Sequence, residues 1–148
     1  MKKLLTILCL VLLSSYSYSE EVLYDTLVER LGVFYKENST TPFTGTAFLY
    51  NPILPEYGYN GQLSGISNFV RGKMSGKQEM YYPNGQLLAR QYYIKGEPNG
   101  TFVSYHEDGL LSCRSNYKNG REEGLSECYY ENGQLKSRGN YKNGLEQR

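Results

Sequence analysis

An all-β fold of tandem hairpins is predicted by three observations. Gly61, Gly85, Gly109 and Gly133 recur every 24 residues, each behind Asn or Asp, and Gly72, Gly96, Gly120 and Gly144 keep the same interval. Between the two series lie short segments rich in Tyr, Leu and other strand formers. A period held three times in succession means one short supersecondary unit copied along the chain, so its broad surface should matter more than any pocket. The expected product is one elongated, twisted antiparallel sheet, led in by a short helix or coil.

Residues 1–19 read as a secretory signal peptide: Lys2 and Lys3, an apolar run from Leu4 to Leu13 broken by Thr6, then Ser14 to Ser19, with Ser17 and Ser19 small enough for cleavage before Glu20. The run of about ten residues falls short of the roughly 20 that span a bilayer, so no transmembrane span is expected. Cys9 lies inside the run behind Leu8, which does not suit a lipidation site. Removing the leader takes away two Lys and no acid, leaving 14 basic against 15 acidic residues and a net charge of −1. Such a balance gives no electrostatic reason to bind nucleic acid.

Residues 20–42 form a lead-in. Val22, Leu23, Leu27, Val28 and Leu31 approximate a one-sided helical stripe over little more than two turns, ahead of a first strand at Gly32 to Lys36. Residues 43–148 carry the array, in units of about 43–76, 77–100, 101–124 and 125–148. Within a unit, Tyr81-Tyr82 and Gln86 to Tyr93 flank Pro83-Asn84-Gly85, which suits a three-residue loop ending in a glycine bulge. Glu107-Asp108-Gly109 and Glu131-Asn132-Gly133 obey the same rule. All eight recurring glycines therefore answer backbone demands at turns. With Tyr81 facing Leu87, odd-numbered positions make an apolar stripe on one face: Tyr81, Leu87, Ala89 and Tyr93, then Val103, Tyr105, Leu111, Cys113 and Tyr117, then Leu125, Tyr129, Leu135 and Tyr141.

The unit Tyr-Tyr-Pro-Asn-Gly-Gln-Leu, followed six residues on by Tyr and then Gly-x-x-x-Gly, resembles the variant MORN repeat of bacterial proteins grouped as YwqK-type antitoxins. Residues 77–144 carry three such units and 45–76 a degenerate one. The segment Val28 to Tyr35, with Pro42-Phe43-Thr44-Gly45, is similar to the lead-in of many members. The resemblance implies a hairpin sheet and a binding or scaffold role, with no catalytic residue to carry over.

Catalytic signals are absent from the sequence. His106 is the lone His and occupies the repeat position of Tyr82 and Tyr130, which reads as a surface exchange of one aromatic for another. No metal spacing, Ser-His-Asp order or phosphate loop is present, so neither a cofactor nor a metal is expected. Cys113 and Cys128 are the two thiols outside the leader. Strict alternation would point them to opposite faces, whereas a bulge near Gly120 would make them cross-strand neighbours able to form a disulfide, and both arrangements stay open.

Tyr82, Tyr92 and Tyr130, off the odd-numbered stripe, are candidate partner contacts. So are Ile53, Leu54, Tyr57 and Tyr59, in a seven-residue enlargement of one turn between Tyr50 and Asn60 that the repeat does not explain. The last strand, Leu135 to Tyr141, offers an edge that Lys136, Arg138 and Lys142 would protect and that a second copy could pair with. The sequence thus points to an exported, non-catalytic scaffold for a protein or an envelope or host-surface component. An antitoxin or immunity-type protein that covers its partner comes second, and a cell-wall-acting enzyme third.

Overall fold

The computed structural model describes residues 19–54 and 59–147. The expected leader, apart from Ser19, lies outside the described residues, as does Tyr57. In chain order the strands are β1 (Glu20–Leu23), β2 (Leu27–Arg30), β3 (Val33–Lys36), β4 (Gly45–Tyr50), β5 (Ile53–Leu54), β6 (Tyr59–Asn60), β7 (Leu63–Val70) and β8 (Lys73–Tyr81). They continue with β9 (Leu87–Ile94), β10 (Glu97–Pro98), β11 (Gly100–Tyr105), β12 (Leu111–Lys118), β13 (Arg121–Glu122), β14 (Gly124–Tyr129), β15 (Leu135–Lys142) and β16 (Leu145–Glu146). Twelve of them form one sheet in the order β1-β4-β7-β8-β9-β11-β12-β14-β15-β16, with β10 beside β9 and β13 beside β12. The β2–β3 and β5–β6 pairs are separate hairpins.

The tandem-hairpin sheet is the predicted one, with two departures at its N-terminal end. Where a short helix or coil was expected over 21–31, the chain makes β1, a single 3-10 turn at Tyr24–Thr26, and β2. A two-turn helix has too few internal hydrogen bonds to hold itself, whereas the edge of β4 offers a full row of partners. The second departure is direction: β1 runs parallel to β4, pairing Glu20 with Gly45 and Leu23 with Phe48, so the sheet is mixed rather than wholly antiparallel.

Two kinds of turn build the repeat. Arg71-Gly72, Lys95-Gly96, Asn119-Gly120 and Asn143-Gly144 each place both residues at positive φ, between 51° and 89°. That is the two-residue type I′ turn, whose twist matches the flanking strands. The other turn closes with Tyr82 N–H donating to the Gln86 carbonyl at 2.8 Å and Gly85 N–H to the Tyr82 carbonyl at 2.9 Å. Asn84 Oδ1 accepts from Gln86 N–H, and Asp108 and Asn132 do the same in their units.

Each hairpin is stapled to its neighbour at both ends. At one end Gly96, Gly120 and Gly144 N–H groups donate to the carbonyls of Met74, Pro98 and Glu122 in the preceding unit. At the other, the Tyr82 hydroxyl donates to the Tyr105 carbonyl at 2.9 Å and His106 Nε2 to the Tyr129 carbonyl at 3.0 Å.

The single apolar stripe is not formed. Tyr81 does pair with Leu87, but Met80 pairs with Ala89, leaving Leu88 as an extra residue; Ser112 and Lys136 are the extra residues of the later units. Each such bulge exchanges odd for even between facing strands, and the two-residue turn exchanges them back. Odd-numbered residues therefore share a face in β9, β12 and β15 with even-numbered ones in β8, β11 and β14. Tyr81, Val103, Tyr105, Leu125 and Tyr129 consequently lie on the side opposite Ala89, Tyr93, Cys113 and Tyr117.

The hydrophobic core sits at one end. Phe43, Ala47 and Phe69 are buried, with Val22, Tyr24, Leu27, Phe34 and Met74 packed around them. The rings of Phe34 and Phe69 lie 5.0 Å apart and those of Phe43 and Phe69 5.8 Å, tilted as aromatic pairs prefer. Burying Phe43 and Phe69 contributes roughly 2–3 kcal/mol each. β3 closes this end against the turn of β7 and β8, Phe34 N–H donating to the Gly72 carbonyl and Gly72 N–H to the Phe43 carbonyl.

Gly72 thus meets two demands at once, a φ of 73° and a wall at the position of any β-carbon, formed by Val33 Cγ1 and the Phe34 carbonyl oxygen. Gly133, at φ 78°, has open space there. In urea melts Gly133→Ala is expected to cost about 1 kcal/mol, the ordinary left-handed penalty, and Gly72→Ala at least twice that. Equal losses would show that the lead-in does not dock on this turn.

Candidate interaction surface

The register places one row of side chains straight across the sheet. Ile66, Glu79, Arg90, Val103, Arg114, Glu127 and Arg138 are successive cross-strand neighbours on β7, β8, β9, β11, β12, β14 and β15. The adjacent row, on the opposite face, runs Met80, Ala89, Ser104, Cys113, Cys128 and Ser137.

Two carboxylates organise the first row. Glu127 is 1% exposed although no second layer covers it. Arg114 Nε donates to its Oε2 at 2.7 Å, Arg138 Nε to its Oε1 at 2.8 Å, and the Tyr129 hydroxyl to Oε2 at 3.0 Å. Glu79, 6% exposed, is held by Arg90 Nε at 2.9 Å, Lys77 Nζ at 2.9 Å and the Tyr81 hydroxyl at 3.2 Å. Each acid is thus roofed by the long side chains that neutralise it, and the three Arg side chains stay 37–61% exposed.

The hydrogen bonds from Arg138 and Arg114 outweigh the burial of Glu127 and hold its carboxyl down at about 2. For Glu79 burial pushes upward and the bonds from Lys77 and Arg90 push downward; the net shift is down. Burial, and then the charge of Glu79, pushes the Tyr81 phenol up. Both acids therefore sit ionised at neutral pH as structural counter-ions, poorly suited to giving or taking a proton.

On the opposite face Cys113 and Cys128 are direct cross-strand neighbours joined by a disulfide, with Cα atoms 4.1 Å apart. Their alignment needs a register shift. Tyr117 pairs with Glu122 beside the turn, whereas Arg114 pairs with Glu127, so two extra residues enter near Glu123 and Gly124, where Gly124 adopts φ 84°. Linking residues 15 apart contributes about 3 kcal/mol by limiting the unfolded chain. Farther along this face, Tyr93, Phe102 and Tyr117 line a shallow depression with Met80 and Pro98.

The sequence candidates fall in three settings. Tyr82 and His106 are partly buried staples between units, so His106 replaces the Tyr hydrogen bond as well as its shape. Tyr92 and Tyr130 are exposed at 41% and 50%, and Lys136 Nζ lies 5.7 Å from the Tyr130 ring centre. The enlarged turn is a short ribbon, with Ile53 opposite Asn60 and Leu54 opposite Tyr59. At the far edge β16 pairs with β15 only at Tyr141 and Lys142. Arg138, expected to guard that edge, instead turns onto the face to reach Glu127.

Sequence reasoning missed the charged row. Its trace was present, since Arg90, Arg114 and Arg138 keep the 24-residue interval and Glu79 and Glu127 stand two intervals apart. Among the described residues no three His, Cys, Asp or Glu side chains gather as a metal site would require, and no helix is long and apolar enough to cross a membrane.

The family model described as the MORN repeat variant matches residues 74–95, 98–119 and 122–143. Each match opens at the same phase of the hairpin period. MORN repeats are commonly protein- or membrane-binding motifs. A search of curated proteins finds no match to the chain.

Because the carboxyl of Glu127 is depressed in the fold, its contribution to stability is present above the ordinary carboxylate value and is lost as pH falls toward about 2. Wild type should therefore exceed Glu127→Gln in denaturant midpoint at pH 7, and most of that gap should close between pH 4.5 and 2. A gap independent of pH would mean that the ion pairs do not hold the carboxylate.

Proposed function

We propose that the protein is an exported, non-catalytic scaffold that binds a protein or an envelope or host-surface component across its sheet faces. The observation that carries this reading is the hairpin array itself, in which the described repeats form a single sheet with both faces open beyond the N-terminal core. Its buried ionisable groups are consumed in holding the sheet together. MORN repeats being common binding motifs supports the same reading. Export is supported by the leader-like residues 1–19 and by a disulfide between Cys113 and Cys128, a bond that persists in oxidising compartments.

Exposed Tyr92 and Tyr130 and the ribbon between Tyr50 and Asn60 are the contact points in this reading. The outer edge of β15 from Leu135 to Gly139, on the side away from β14 and not covered by β16, would be the route for pairing between two copies. A YwqK-type antitoxin activity is the second reading, favoured by the lead-in residues Val28 to Tyr35, and it would work by covering a toxin with the same faces.

The immobilised chain should retain a specific species from envelope extracts. A Tyr92→Ser, Tyr130→Ser double variant, or one with residues 50–60 shortened, should bind that species about tenfold less or weaker, the loss typical of aromatic anchors. Retention unchanged in both variants would contradict the assignment of these contacts, and turnover of cell-wall material abolished by His106→Ala would contradict the non-catalytic reading. Rescue from a co-expressed toxin would decide for the second reading.

A further inference from the structure

The charged row contains one irregularity. In two of the three matched units the row position on the first long strand is an acid, Glu79 or Glu127; in the middle unit it is Val103. Its surroundings are nevertheless those of an acid. Val103 lies between Arg90 and Arg114 across the ladder, as Glu127 lies between Arg114 and Arg138. Two residues on stands Tyr105, the counterpart of Tyr81 and Tyr129, whose hydroxyls both donate to the acid of their own unit.

These donors have capacity to spare. Arg90 uses Nε and Nη2 on Glu79, and Arg114 uses the same two atoms on Glu127. Arg90 Nη1 and the Tyr105 hydroxyl make no hydrogen bond among the described residues, and the Arg114 head reaches Tyr129 as well as Glu127. The two Arg side chains are partly exposed, and two strand spacings put their backbones about 10 Å apart, with Val103 between them. A planar two-oxygen anion is what this donor set holds in the neighbouring unit, one oxygen facing each Arg.

We propose that the position above Val103 takes a carboxylate side chain from an acidic segment of a partner protein, bonded by the Tyr105 hydroxyl and by the guanidinium edges of Arg90 and Arg114 that are not engaged on Glu79 and Glu127. Val103 supplies an apolar floor where the neighbouring units place an acid, so Arg90 and Arg114 have no carboxylate between them. Exposed Tyr92, two residues from Arg90 on the same face, supplies aromatic contact beside the carboxylate. This inference rests on the scaffold reading and names its partner's chemistry.

Val103→Glu in the full chain tests it, because the variant provides the carboxylate from within. Binding of a fluorescein-labelled, amidated hexaglutamate peptide, followed by polarisation at low salt, should weaken tenfold or more in Val103→Glu. It should stay near wild type in Val103→Gln, which has similar bulk and no charge. The melting temperature of Val103→Glu should rise, since the two Arg gain a third acid. Tyr105→Phe, which removes one donor and no packing, should weaken the peptide severalfold and covers the case in which Val103→Glu fails to fold. Wild type that does not bind the peptide, Val103→Glu that binds it like wild type, or a Val103→Glu-sensitive affinity for phosphatidylglycerol vesicles in place of the peptide would each overturn the proposal. If Val103→Glu leaves capture from envelope extracts unchanged, this site fails while the scaffold reading stands.

Discussion

A sheet one layer thick has no opposing layer in which to bury side chains, and that constraint governs the rest of this structure. Only the N-terminal end escapes it, where the lead-in folds over Phe69 to make a small aromatic core. Beyond that end cohesion comes from the strand ladders, from the staples that tie each turn to the next unit, and from side chains that lie along the faces. The buried carboxylates are the clearest consequence. In a layered protein Glu127 would need a cavity, whereas here Arg114, Arg138 and Tyr129 build its enclosure from their own lengths. The repeats are in this sense one-dimensional, each secured by the one before and the one after.

The two faces consequently have different characters. One carries the alternating acids and guanidiniums, with Tyr hydroxyls between them. The other carries small residues, the disulfide and a few aromatic rings. The row of charges does two jobs. It cross-links adjacent strands with charge-assisted bonds, and it leaves partly exposed Arg side chains at regular intervals on an open surface. At Val103 the first job lapses and the second remains, which is why that position stands out in a molecule otherwise assembled by copying.

Much of the fold could be read from the residues. The glycines are local statements: a residue at positive φ after Asn or Lys marks a turn wherever the chain goes next, so hairpin spacing and count follow directly. Face assignment could not be read the same way. Leu88, Ser112 and Lys136 are extra only in relation to the strand opposite, and strict alternation along one strand carries no sign of them. That single omission scattered the supposed apolar stripe over both faces and hid the charged row. It also left the cysteine pairing undecided, because two further residues near Gly124 set the alignment. The strand at 20–23, where a short helix or coil was expected, has a different cause, the competing edge of β4, which a local stripe of Val and Leu cannot reveal. Of the candidate contacts, Tyr92 and Tyr130 are exposed, whereas Tyr82 is engaged as an inter-unit staple.

The account turns on the register between β12 and β14, from which the faces, the disulfide and the charged row all follow. Nuclear Overhauser contacts between α-protons report directly opposed residues in close antiparallel pairs, where the backbones approach to about 4.5 Å. A contact from the α-proton of Cys113 to that of Cys128 is the predicted result. A contact from Cys113 to Ser126, the alignment that the two-residue turn would impose without the shift near Gly124, would contradict it.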